Sequence, residues 1–157
     1  MKILSFREVI IVYYSYFGKM ISYKTDIRVL YSDTDQMGIV HHSNYLKYYE
    51  TARWELFRSL GISYKSIENE GYIVPVIRIN THYIKAIHYD DIVTIITTLK
   101  TIKGSRIWFH YKLYTLDGVL VNEAETELAF VKKENRKPCL VPEFVNLAIT
   151  DSISSKT

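Results

Sequence analysis

The chain lacks several features that would classify it at once. It has one cysteine, Cys139, among 157 residues. No internal disulfide framework is available, and a reducing compartment suits it. Cys139 lies in KPCLVPE with no histidine nearby, which reads as a structural position rather than a nucleophile. The charge excess is small: 20 Lys and Arg against 17 Asp and Glu leave +3. Nucleic-acid binding normally needs a clustered basic face, so that class is set aside. The five histidines are scattered, and neither H-x-x-x-H nor C-x-x-C occurs, so no metal is expected. The apolar run Val9 to Phe17 is too short to span a bilayer, and no small-residue cleavage site follows it. The protein is therefore expected in the cytoplasm. Residues 1–19 read as an N-terminal extension or a mis-called start, because Met20 stands just before the first strand pattern. An additional edge strand is the competing reading.

What is present suits one domain with a sizeable core: 48% of residues are hydrophobic and 24% charged. Tyrosine is abundant, 14 copies against 2 of tryptophan. It combines apolar area with a polar tip, which suits half-buried strands, interfaces and ligand tunnels alike. Residues 23–31 (YKTDIRVLY) alternate as a strand. From about Ser43 the period becomes helical: Tyr45, Tyr48, Tyr49, Ala52 and Leu56 share one face, and Leu46, Trp54, Phe57 and Leu60 widen it. A helix of about 18 residues, about 27 Å long, ends at Gly61. A short helix fits Ser63 to Glu70. Strands follow over 72–85, 91–103, 106–115 and 119–133, with turns at Gly104-Ser105 and Asp117-Gly118. The region after Pro138 reads as a loosely structured tail. The order implies α+β with one antiparallel sheet, and the uncovered edges of such a sheet favour dimerisation.

The most informative stretch is YSDTDQMGIVHHSNYLKYYETAR, from Tyr31 to Arg53. It places Asp33 and Asp35 on a tight turn, then Gly38, His41 and His42, then the start of the long helix. A carboxylate facing the free amides of a helix N-terminus suits acyl-group chemistry. The amides stabilise an oxyanion, and the carboxylate attacks or activates water.

The pattern Y-x-D-T-D-x-x-G-x-V-x-H-x-x-Y followed by Y-x-x-A-R resembles the hotdog-fold acyl-CoA thioesterases. The similarity is to the 4-hydroxybenzoyl-CoA thioesterase branch, which includes the short-chain acyl-CoA thioesterases associated with the Tol-Pal system. The resemblance implies a five-stranded antiparallel sheet wrapped around a central helix, in a domain over 20–140 with a tail over 141–157. It implies hydrolysis of acyl-CoA to a free acid and coenzyme A without a cofactor, by a homodimer or homotetramer.

The second Asp of D-T-D, here Asp35, is the implied catalytic carboxylate, as nucleophile or general base. Asp33 is read as shaping the loop. Gly38 allows a backbone conformation or a close substrate approach. At His42 the resemblance implies that backbone amides face the thioester oxygen, with a side-chain role left open. His41 is treated as a loop residue. Tyr45 is assigned to the core or the acyl-pocket wall, and Tyr83 with Lys85 to the strand leading into Asp90-Asp91. There Ala86 replaces a proline common in the family. Lys103, Ser105 and Arg106 form a basic element suited to coenzyme A phosphates, and Lys132, Lys133, Arg136 and Lys137 a second. Glu50 and Arg53 pair along the helix, with Glu50 the fallback carboxylate. The alternatives are a thioesterase acting on acyl-carrier protein and a non-catalytic acyl-CoA-binding hotdog domain. A hotdog dehydratase is disfavoured, because no paired Asp/His motif stands on the expected later loop.

Overall fold

The computed structural model describes residues 12–15 and 18–154. Its strands are β1 (Val12–Ser15), β2 (Gly18–Arg28), β3 (Tyr72–Ile73), β4 (Val76–Tyr83), β5 (Ile92–Lys103), β6 (Arg106–Thr115), β7 (Leu120–Ala129) and β8 (Val131–Lys132). The helices are α1 (Tyr45–Ser59), α2 (Tyr64–Asn69) and α3 (Glu143–Ser154). One antiparallel sheet has the order β1-β2-β5-β6-β7-β4, and β3 pairs with β8 beside it. The architecture is the expected α+β hotdog arrangement: five long strands around α1, extended at one edge by β1. Part of the stretch 1–19 thus takes the edge-strand alternative, while residues 1–11 lie outside the described residues.

Alternation along the central strands fixes which face meets the helix. Val93, Ile95, Thr97 and Leu99 of β5, and Ile107, Phe109, Tyr111 and Leu113 of β6, are all buried. They pair across the ladder as Ile95 with Leu113, Thr97 with Tyr111 and Leu99 with Phe109. Against them α1 buries Tyr45, Tyr48, Tyr49, Ala52, Leu56 and Phe57. The Tyr49 ring stacks on Tyr111 at 4.9 Å, and Phe57 meets Phe109 edge-on at 5.6 Å. Burial on this scale, ~2 kcal/mol for each large apolar side chain, makes α1 the element on which the sheet closes.

Several expectations change. The helix begins at Tyr45 after a 3-10 turn over His42–Asn44, so it is about 22 Å long rather than about 27 Å. Leu46 does not widen its buried face; it is exposed. Arg53 is buried instead. The first long strand starts earlier than Tyr23 and stops at Arg28. The strand expected over 72–85 is interrupted at Val74-Pro75, and Val76, Ile77, Ile79 and Tyr83 are exposed because β4 lies at the sheet edge.

The tail expectation is overturned. Residues 143–154 form a helix whose Val145 and Ile149 enter the core with Val141. Its position is pinned where the Val141 amide donates to the Gly104 carbonyl at 3.3 Å. Val145→Ala is expected to cost about 2 kcal/mol through lost burial and a residual cavity. Urea denaturation should show it as a lower midpoint with an unchanged slope.

Candidate active site

Between β2 and α1 a 3-10 turn is followed by two further turns, and one buried residue ties the segment together. Asp33 ends a 3-10 turn over Tyr31–Asp33 and is only 7% exposed. Its Oδ2 accepts hydrogen bonds from the Leu30 amide at 3.0 Å and the Tyr48 hydroxyl at 2.7 Å. Its backbone carbonyl accepts from the His41 amide at 2.9 Å and from Asn44 Nδ2 at 2.8 Å. Burial, and next the carboxylate it donates to, hold the Tyr48 hydroxyl well above the ordinary tyrosine range. Asp33 is thus spent on structure, in agreement with its reading as the loop-shaping carboxylate.

Asp35 begins the first tight turn. Its Oδ1 accepts the Met37 amide at 2.8 Å, its amide donates to the Ile39 carbonyl at 3.0 Å, and its carbonyl accepts the Gly38 amide at 2.9 Å. Gly38 has φ of +76°, and a Cβ there would meet nothing within 4 Å. The glycine is demanded by its left-handed backbone, not by crowding within the chain.

The second turn carries the histidines. His41 acts as the cap: its Nδ1 accepts the Ser43 amide at 3.3 Å and lies 2.8 Å from Ser43 Oγ. The His42 ring is exposed and packs against that of His41 at 4.0 Å. The His41 and Asn44 amides are engaged, by Asp33 and by the His41 carbonyl. Among the described residues no acceptor faces the His42 amide. That free N–H precedes α1, where the helix dipole favours negative charge.

These turns open on one cavity of about 240 Å³. Asp35, His42, Tyr45 and Tyr83 all line it, with Val40 and Ile84 as apolar wall and Lys85 at its margin. Tyr83 donates its hydroxyl to the His42 carbonyl at 3.0 Å and meets the Tyr45 ring edge-on at 5.0 Å. The absent proline at Ala86 leaves this strand end intact: the Ile84 and Lys85 amides share the Val121 carbonyl, at 2.9 and 3.0 Å. A larger groove of about 580 Å³ lies on the outer face of the sheet, between Ser22, Thr98, His110 and Lys112. It contains neither Asp35 nor a free helix start.

Not every expected site residue is brought together. Asp35 sits near the start of β5, where Val29 pairs with Asp91 and Ile39 with His88. Lys103, Ser105 and Arg106 sit at the other end of that strand, about 40 Å away along its length. Within one chain they do not reach the cavity. Arg106 pairs with Glu127 instead. The second basic stretch converges on the Gly104 turn, since the Phe130 amide donates to the Ser105 carbonyl at 2.7 Å and the Lys132 amide to the Lys137 carbonyl at 2.9 Å. Lys132 also lies over the Tyr72 ring at 5.3 Å.

The expected Glu50–Arg53 pair is absent. Glu50 is exposed, whereas Arg53 is 4% exposed and donates Nη1 to the Tyr111 hydroxyl at 3.1 Å. The core offers that guanidinium a phenol, and the helix spacing alone gave no sign of it. The roles of Asn44, Tyr48 and His41 were also missed, although Ser43-Asn44 before a helical period does signal a helix start. Among the described residues no three His, Cys, Asp or Glu side chains cluster as a metal site.

The chain matches the family model described as the thioesterase-like superfamily over residues 29–149. It is 37% identical over 115 residues to YneP of Bacillus subtilis, named as a candidate acyl-CoA thioesterase, covering 73% of this chain and 83% of that protein. It is 30% identical over 123 residues to the acyl-CoA thioesterase YbgC of Haemophilus influenzae, covering 78% and 90%. In structure it resembles the DHNA-CoA thioesterase of Staphylococcus aureus, with a TM-score of 0.80, 29% identity and coverage of 86% and 93%. The Asp35 turn, the helix start beside it and the sheet that holds them all lie within this match: the chain belongs to the thioesterase-like superfamily of hotdog-fold thioester hydrolases.

Proposed function

We propose that the chain hydrolyses acyl-CoA thioesters to the free acid and coenzyme A, with Asp35 as the reacting carboxylate. One observation carries this: Asp35 and His42, whose backbone amide is unengaged among the described residues, line the same cavity. The thioester carbonyl oxygen takes up the His42 N–H, and the Asp35 carboxylate approaches the carbonyl carbon. Either Asp35 attacks, forming a mixed anhydride that water then opens, or it removes a proton from the water that attacks. Coenzyme A leaves as a thiolate, so no metal or other cofactor is called for. A donor aimed at the oxyanion is worth about 3–4 kcal/mol in such sites. Release of free thiol from an acyl-CoA panel tests the reading. Cleavage of acyl-carrier protein thioesters alone would replace coenzyme A as carrier, and binding without release would make this a non-catalytic acyl-CoA-binding domain. A coenzyme A substrate puts the work in the cytoplasm.

The working unit is a homodimer joined through β4. That strand is a sheet edge of eight residues, and Val76, Ile77 and Ile79 expose apolar surface on it. Such an edge is a template for pairing with a second copy. Its Tyr83 end adjoins the cavity, while its Val76 end ladders through Leu128 to Ile107, beside the Gly104 turn. Antiparallel pairing of two β4 strands would lay one end against the other. The partner's Ser105 and the partner's Arg106 would then approach the Asp35 cavity, giving the basic element a place at the phosphates. Ile79→Lys is expected to convert a species of at least twice the 18.5 kDa chain mass into monomer, read by light scattering after size exclusion. A variant that keeps the wild-type mass would rule out this edge.

A further inference from the structure

The cavity holds a buried polar group that the proposed hydrolysis leaves unused. Other tyrosines that approach the core satisfy their hydroxyls. Tyr48 donates to Asp33, Tyr49 to Asn122 at 2.6 Å, Tyr64 to the Val74 carbonyl at 3.0 Å, and Tyr83 to the His42 carbonyl. Tyr45 is the exception. It is 97% buried (3% exposed), yet no described residue offers its hydroxyl a hydrogen bond. Nor is that oxygen sealed away, since it is not among the buried polar atoms without a partner. The sliver of Tyr45 that remains accessible therefore includes its hydroxyl, and the residue lines the Asp35 cavity. Burial, and next the neighbouring Tyr83, push this hydroxyl up to about 12, so it is present as a neutral O–H at physiological pH.

A phenol placed so carries a consequence for specificity. Occupying the cavity with a plain hydrocarbon group would strip water from the hydroxyl and give nothing back, and an unpaired buried donor is costly. An acyl group with an oxygen of its own would restore the bond. The thioester carbonyl is already served by the His42 amide, which leaves the Tyr45 hydroxyl for the acyl chain. We propose that Tyr45 is a specificity-determining residue, whose hydroxyl binds a hydroxyl or keto oxygen on the acyl group and so favours oxygenated acyl thioesters over hydrocarbon ones. This rests on the hydrolase reading for its kinetic consequence, though not for its binding consequence.

The test compares 2-hydroxybutyryl-, 3-hydroxybutyryl- and acetoacetyl-CoA with butyryl-CoA. For the wild type, kcat/KM should favour at least one oxygenated member by about tenfold, the range of a single hydrogen bond. In Tyr45→Phe that preference should collapse towards unity, through loss on the oxygenated substrate. The same panel is titrated calorimetrically into Asp35→Asn and into Asp35→Asn combined with Tyr45→Phe, where binding is read without turnover. The preference in Kd should be present in the first and absent in the second. Tyr45→Phe should keep the wild-type Tm, because no protein hydrogen bond is lost.

A flat panel in both kcat/KM and Kd overturns the role of Tyr45 while leaving hydrolysis standing. So does an equal loss on all four substrates in Tyr45→Phe, which would place the hydroxyl at the reacting carbonyl. If the wild type releases thiol from none of them but the Kd preference and its loss are both seen, hydrolysis fails and the recognition role holds.

Discussion

Asp35→Asn is expected to lower kcat for acyl-CoA hydrolysis by about 10²–10⁴-fold, the range lost when a positioned acid–base group is removed. The substitution is close to isosteric, and its effect on the fold should be small. The only hydrogen bond that the Asp35 side chain makes to a described residue is from the Met37 amide to Oδ1, which an amide oxygen accepts equally well. The loss is therefore chemical: an amide neither attacks a thioester readily nor takes a proton from water at neutral pH. Thiol release measured at saturating acyl-CoA, with a melting curve alongside, separates the two. Undiminished turnover in a well-folded variant would move the chemistry to another group, and Glu50 is poorly placed to inherit it because it lies on the exposed side of α1. Labelled oxygen in the Asp35 carboxylate after a single turnover in labelled water would identify direct attack, with water opening the anhydride at the Asp35 carbonyl carbon; attack of water at the acyl carbon puts the label in the free acid by either route.

Asp33→Ala is expected to be the most destabilising change at the site, by about 3 kcal/mol. It removes the acceptor for both the Leu30 amide and the Tyr48 hydroxyl. Tyr48 is 5% exposed, so its hydroxyl would be left buried without a partner. A Tm fall on the order of 10 °C follows for a chain of this size. Tyr48→Phe should cost less, because the carboxylate it uncovers keeps the Leu30 amide. A double-mutant cycle between the two positions would measure their coupling, and additive effects would show that the 2.7 Å contact carries no shared energy. Activity should fall along with stability, since the Asp33 carbonyl anchors the turn that presents the His42 amide.

The two aspartates of one D-T-D triplet thus stand in different settings, Asp33 buried against Tyr48 and Asp35 lining the cavity, and their separation was legible in part. Asx and glycine chemistry announced a turn, and the helical period after Ser43 announced α1. Alternation in β5 and β6 told which side chains face inward. These signals are local: they depend on residues two, three or four positions apart, which secondary structure brings into contact whatever the rest of the chain does.

Arg53 was not legible, because a charged residue at helical spacing ordinarily faces water. It is buried here only since Tyr111, 58 positions later, brings it a hydroxyl. The helix over 143–154 was obscured by its setting behind two prolines, and it is held by a core assembled from distant strands. The exposure of Val76, Ile77 and Ile79 follows from strand order, which no local pattern contains.

Sequence reading alone identified the turn, the helix and the number of long strands, and it proposed Asp35 as the group for chemistry, because each rests on near neighbours or on a contiguous motif. Tertiary structure decided three things that depend on distant pairings. The basic Gly104 turn stands at the far end of the sheet from Asp35, Asp33 is consumed by Tyr48, and the Tyr45 hydroxyl finds no partner among the described residues. Each follows from which strand lies beside which, a choice made by burying the whole core at once rather than by any segment's own preference.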